Sequence, residues 1–270
     1  TWSKDKNNPP SVFNSGQILF GLCSLWNHGK EEQWKTAGIA CAKWLATVQN
    51  IDGSWTNFAY KNTLHTYKTR VAWPMLIASK FWNLDDVELS AKKNLDHALK
   101  LHKPSGWIEN ASFNENTPPV LHTFAYTVQG MLEAGILFDN KLYIDAAVNS
   151  ATALLNSQLP DGSLPGEINQ QFSDCWYRCL TGISQTAIIW ARLSEIGNET
   201  QDWSTACDKS LNYLENNQAT LPLNGIAGGF SGSKPIFGPY MRLRYPNWAV
   251  KFYLDAVIAR EKGMGEIAWG

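Results

Sequence analysis

Apolar residues along the chain fall into two alternating kinds of segment. In the first kind they recur every three to four positions. Over 31–49, Trp34, Ile39, Ala42, Leu45 and Ala46 keep that period, with Glu31, Glu32, Lys35 and Lys43 outside it. Segments 86–101, 141–157 and 201–216 read likewise, placing Lys92, Lys93, Asp145 and Asp208 in solvent. The second kind, at 16–26, 66–82, 123–137, 181–196 and 247–261, is apolar nearly all round, as in a helix buried on most sides. Strand signals are poor everywhere, and Ile226 to Phe237 reads as a Gly-rich loop.

The alternation has a register. Asp52-Gly53-Ser54-Trp55 follows Gln49, Ser105-Gly106-Trp107 follows Leu101, Asp161-Gly162-Ser163 follows Gln158, and Asn224-Gly225 follows Gln218. Each time a helix ends in a Gly-bearing turn, a polar loop follows, and a buried helix begins. Leu64-His65-Thr66-Tyr67 aligns over Leu121-His122-Thr123-Phe124, and Thr181 continues the column. Gln17, Arg70, Thr127, Gln185 and Trp248 then share one position, 53 to 63 residues apart, a period that holds one helix pair plus a loop. Five buried helices alternating with four amphipathic ones predict an all-α fold, an α/α toroid. No linker interrupts the period, so one domain over 1–270 is expected.

Composition narrows the function. Twenty-three basic residues against 24 acidic ones, with no run of either sign, lack the footprint of a nucleic-acid binder. Charged residues interrupt every candidate membrane span. Five Cys, an odd number in a large domain, argue against a disulfide framework and for a reducing compartment. The polar lead from Lys4 to Pro10 resembles no signal peptide, so a soluble cytoplasmic protein is expected.

The run Gln49-Asn50-Ile51-Asp52-Gly53-Ser54-Trp55 resembles the repeat of the terpenoid cyclase and protein prenyltransferase toroid superfamily. Other motifs are more similar to toroid proteins associated with polysaccharide biosynthesis: Phe13-Asn14-Ser15-Gly16-Gln17, Thr69-Arg70-Val71-Ala72-Trp73, Leu121-His122-Thr123, Cys179-Leu180-Thr181-Gly182 and Tyr245-Pro246-Asn247-Trp248-Ala249. Gly182-Ile183-Ser184-Gln185 also resembles the helical domain of uronyl C5-epimerases. The resemblance implies a toroid that acts on saccharides. Three departures stand out. The Asp-x-Asp-Asp acid of the class II cyclases is absent, Asp85-Asp86 lying at an outer-helix start, and the prenyltransferase zinc ligands find no match. Five inner helices also fall short of six or more pairs, so the ring is smaller or a pair is absent from its front.

In a toroid the N-termini of the inner helices collect at one mouth, where their partial positive charge favours an anion. His65 and His122 share a register there, either exchanging protons or bonding neighbouring loops, and Tyr126 follows His122 by one turn. These three are the catalytic candidates. Thr66, Thr123 and Thr181 are expected as helix caps. Arg70, Gln17 and Gln185 are expected to line the axis, with Tyr240, Arg242, Arg244, Asn247 and Trp248 completing the substrate-binding set. Arg would pair with a carboxylate and an aromatic ring would face a sugar. Glu109, Glu115, Glu167 and Asp174 are the mouth carboxylates, and no spacing selects a pair for glycoside hydrolysis. Cys175 and Cys179 read as packing, so neither metal nor cofactor is expected.

The expected function is an enzyme on an acidic, uronate-type oligosaccharide or polysaccharide, working by elimination or epimerisation. A terpenoid cyclase-like enzyme and a non-catalytic saccharide-binding subunit stay open. No nucleic-acid partner is expected.

Overall fold

A computed structural model describes residues 10–220 and 225–266. Among these, nine long helices run in chain order: α1 (Val12–Gly29), α2 (Glu32–Thr47), α3 (Thr69–Trp82), α4 (Asp85–Lys100), α5 (Leu121–Leu137), α6 (Lys141–Asn156), α7 (Leu180–Glu195), α8 (Trp203–Glu215) and α9 (Asn247–Lys262). The odd-numbered helices form the inner wall, with α1 on α3, α3 on α5, α5 on α7 and α7 on α9. Each even-numbered helix packs outside the inner helix that precedes it. This is the α/α toroid that the alternation predicts. No described helix is long and apolar enough to cross a membrane.

Burial follows position in the arc. Helices α3, α5 and α7 have inner neighbours on both sides and are buried almost all round. Helices α1 and α9 differ from the sequence expectation: as the ends of the arc they bury one face and leave Ile18, Leu25 and Leu254 exposed. Two short strands, β1 (Arg178–Cys179) and β2 (Ser233–Lys234), pair antiparallel, so the stretch read as pure loop carries a small ribbon.

The Gly-bearing turns hold successive pairs together. Gly53 (φ +87°) and Gly162 (φ +85°) sit in the left-handed region, where a Cβ is strained. A Cβ at Gly53 would stand 2.2 Å from the Lys93 carbonyl oxygen of α4, and one at Gly162 would stand 2.1 Å from that of Lys209 on α8. The turn backbone thus lies directly on the next outer helix. Polar side chains lock the contact. Asn94 Nδ2 donates to the Gly53 carbonyl (2.9 Å), Ser150 Oγ to that of Gly106 (2.7 Å) and Ser210 Oγ to that of Gly162 (2.8 Å). Gln49 Nε2 reaches the Ser90 carbonyl and Gln158 Nε2 that of Ala206. Asp52 and Asp161 close their turns by accepting from the backbone and hydroxyl of Ser54 and Ser163.

The fourth turn departs from the expected register. Gln218 Nε2 donates to Gly228, not Gly225, in a longer loop; Asn224 lies outside the described residues. The polar lead up to residue 9 also lies outside them.

Gly53→Ala and Gly162→Ala are each expected to cost roughly 2–4 kcal/mol, combining a positive φ with a clash against backbone. Gly21→Ala, on the open face of α1 with nothing within 4 Å of its Cβ, should be neutral or stabilise by up to ~1 kcal/mol. Urea unfolding of the three variants checks this ordering.

Candidate functional site

The loops entering the inner helices enclose a cavity at the N-terminal ends of those helices. It has two adjoining lobes of about 1130 and 780 Å³ that share Phe13, Asn14, Phe113, Asn114, His122 and Tyr126. The larger lobe lies under loop 57–62, where Phe58, Lys61 and Asn62 all adopt positive φ. Non-glycine residues held in that region store strain, a frequent feature of ligand sites. The smaller lobe is walled by Tyr177, Tyr240 and Trp248.

His122 is placed by close helix contact. Gly182 lets α7 abut the start of α5, since a Cβ there would stand 2.7 Å from the His122 amide nitrogen. Gln185, one turn on, then meets the ring, and Nδ1 pairs with Gln185 Oε1 at 2.5 Å. The amide oxygen can only accept, so Nδ1 carries the proton and Nε2 keeps its lone pair. The rings of Tyr126 (4.4 Å), Tyr240 (5.6 Å) and Phe252 (6.0 Å) surround the imidazole. Burial pushes its pKa down to about 4, the Gln185 bond opposing and the nearby Arg70 charge assisting. At neutral pH this is an uncharged imidazole able to accept a proton. Burial raises the Tyr126 phenol, which therefore stays protonated. Trp248 Nε1 donates to the Tyr240 hydroxyl at 3.1 Å.

The other expected residues lie elsewhere. His65 is buried outside the cavity lining. Its Nδ1 faces the Ser112 carbonyl (2.9 Å), its Nε2 faces that of Tyr60 (2.8 Å), and Tyr67 stacks on its ring. It ties two loops together, and both nitrogens are occupied. Arg70 is 1% exposed and lies beneath the floor. Its guanidinium donates to Gln129 Oε1 (2.9 Å) and is caged by Phe20, Trp73, Tyr126 and Phe252, with ring centroids 4.9 to 5.9 Å from Cζ. Gln185 touches the site through His122 alone, and Gln17 Nε2 is buried without a partner among the described residues. Arg242, Arg244 and Asn247 are exposed and do not line the cavity.

The five residues of the common repeat position do not all reach one level. Helix α9 begins at Asn247, so Trp248 stands one turn before the level of Gln185, and Phe252 meets Arg70 instead. Thr127 turns its hydroxyl to the Thr123 carbonyl of its own helix. The three expected Thr caps are not caps. Thr66 and Thr123 donate to carbonyls, and the Cys179 thiol accepts from Gly182 at the start of α7. Cys175 bonds backbone groups of Gly166 and Tyr177. Among the described residues no three His, Cys, Asp or Glu side chains are grouped to hold a metal.

Lys68, absent from the sequence candidates, lines the larger lobe. It ends a short 3-10 turn (Thr66–Lys68) leading into α3 and is 1% exposed. Burial lowers its pKa to about 7. Its signal in the sequence is the one that singles out Arg70, a cation at the start of the mostly apolar run 66–82. Of the mouth carboxylates Glu167 alone lines the cavity, while Glu109 pairs with Lys103 and Asp174 with Arg178. With Lys61 and Lys68 in its wall and helix N-termini around it, the cavity is biased towards anions.

The fold places the chain among α/α toroids. Solved structures that it matches include unsaturated glucuronyl hydrolase from Bacillus sp. GL1, at TM-score 0.74 and 15% identity over 93% of this chain and 74% of that one. A D-mannose isomerase matches at TM-score 0.74 and 15% identity, over 99% and 73% of the two chains. A polysaccharide lyase matches at TM-score 0.68 and 11% identity, over 92% and 73%. No family model matches the chain, and no curated protein sequence does.

His122 ties stability to pH. Its folded pKa, about 4, lies below the unfolded value near 6.5, so the unfolded state binds the extra proton between those limits. Stability should fall as pH drops from about 6.5 to 4, by up to ~3 kcal/mol. His122→Asn should lose that component of the slope, read as the difference between the two proteins' denaturation midpoints across this window.

Proposed function

We propose that this chain is an enzyme acting on an acidic, uronate-type saccharide by proton transfer at a sugar carbon. The observation that carries the reading is the His122 imidazole, fixed by Gln185 with Nε2 unprotonated, beside the protonated Tyr126 in an aromatic, anion-favouring cavity. Toroids of matching fold that are named as glucuronyl hydrolase and polysaccharide lyase support the substrate class. Among the described residues a single lining carboxylate, Glu167, gives no support to hydrolysis by a carboxylate pair.

In this reading Nε2 of His122 takes the proton α to the sugar carboxylate, and a cation in the wall offsets the charge that develops. In elimination the C–H electron pair becomes a ring double bond as the glycosidic oxygen leaves with a proton from Tyr126. In epimerisation a proton returns to the opposite face instead. Tyr240 and Trp248 present flat faces to the sugar ring.

A second reading, a non-catalytic saccharide-binding subunit, is favoured by the low basicity of His122. Carbocation chemistry of the terpenoid cyclase kind is disfavoured, because the aromatic cage that could hold a cation is filled by Arg70.

Incubation with uronate oligosaccharides in D2O separates these readings. Elimination should produce an ultraviolet-absorbing unsaturated uronate, and epimerisation should place deuterium at C5 without cleavage. His122→Asn and Tyr126→Phe should each lower the rate by roughly 10²–10⁴-fold. Binding with neither chromophore nor deuterium would leave the binding-subunit reading.

A further inference from the structure

We propose that Lys68 is the residue that recognises the carboxylate of the acidic sugar, its ammonium taking that carboxylate as the ion-pair partner that no described residue supplies. The inference rests on the reading of the cavity as an acidic-saccharide site, and it assigns the recognition to one side chain.

The geometry is that of a charge awaiting a partner. Lys68 is 1% exposed yet lines the larger lobe. Its Nζ lies 5.3 Å from the Phe13 ring centroid and 4.9 Å from that of Tyr67. Among the described residues it has no hydrogen bond and no carboxylate within pairing distance, whereas Lys35, Lys92, Lys103, Lys141 and Lys251 all pair with acids. Aromatic faces recover only part of what a buried ammonium loses on leaving water. An anion entering the lobe would supply the rest. The surrounding wall suits a sugar, with Asn14, Asn57, Asn62 and Asn114 offering amides to hydroxyls.

The groups facing Lys68 leave this role open. Loop 57–62 contributes Tyr60 and Lys61, α5 contributes His122 and Tyr126, and α1 contributes Phe13 without a charge. Behind Tyr67 lies His65, which feels both Lys68 and Glu115. Among the described residues lining the larger lobe there is no carboxylate, Glu167 belonging to the smaller one. Burial alone lowers the Lys68 pKa to about 7, and a bound carboxylate would raise it again. Binding therefore takes up a proton. Above pH 7 the affinity for an acidic sugar should fall about tenfold per pH unit, the slope of one proton.

The test is calorimetric titration with oligogalacturonate, oligoglucuronate and oligomannuronate of equal length, each beside its carboxyl-reduced neutral counterpart. For the wild type at pH 6, at least one acidic oligosaccharide should bind about 10- to 100-fold tighter than its neutral form. The preference should shrink as pH rises through about 7. Lys68→Met should lose it to within about threefold, and Lys68→Arg, charged at every pH used, should keep it without the pH slope. If Lys68→Met and the wild type show the same preference and the same slope, Lys68 is not the recognition group, although the acidic-saccharide reading stands. If the wild type does not distinguish acidic from neutral forms, or binds none, that reading fails and this inference with it. Should Lys68→Met not fold, a pH-independent preference in the wild type would overturn the assignment by itself.

Discussion

The contact between each Gly turn and the next outer helix is the constraint on which the rest depends. Gly53 and Gly162 have no Cβ, so the turn backbone can lie on α4 and α8 at a distance no other residue allows. Gln49, Asn94, Gln158 and Ser210 convert that contact into hydrogen bonds of fixed direction. The rotation from one helix pair to the next is thereby set, and with it the arc. Once the arc exists, every loop entering an inner helix arrives at the same end. The cavity is a consequence of the repeat rather than of any one loop.

Inside the arc, polar groups divide by depth. Beneath the floor Arg70 is held by Gln129 and four aromatic rings, and Glu133 by Arg192, with burial raising Glu133 to about 7. These groups stay away from the cavity. At the mouth the arrangement differs: among the described residues His122 has one nitrogen satisfied and one open, and Lys68 has no anion beside it. The mouth thus presents its imidazole and ammonium to the cavity, and the floor keeps its charges away from it. The aromatic walls serve both, since Tyr126 covers Arg70 on one side and meets the cavity on the other.

Periodicity made the helices legible. The expected outer segment 141–157 is α6 (Lys141–Asn156), and the inner segment 247–261 is α9 (Asn247–Lys262). Helical period and the Gly turns are local signals, so they survive in the sequence. The placement of His122 and Tyr126 was legible too, because both sit in the first turns of an inner helix. Depth was not. Arg70 and Lys68 are two residues apart and equally buried, yet one lies under Tyr126 and the other in the wall of the larger lobe. Phe13 and loop 57–62 decide this, and no local pattern encodes how they fold over the start of α3. His65 shares the register of His122, but the carbonyls of Tyr60 and Ser112 capture it. Trp248 stands one turn short of the level its repeat position predicts, because the loop before α9 is longer than its counterparts.

The proposed function requires an acidic sugar to bind at the N-terminal ends of the inner helices. A crystal structure of the protein soaked with an oligouronate tests it most directly. The account predicts a sugar ring against the aromatic wall shared by Tyr126, Tyr240 and Trp248, with its carboxylate at hydrogen-bond distance from Lys68 Nζ. A sugar seated instead in the outer groove beside Asp208 and Arg260, with the mouth cavity holding only water, would contradict it.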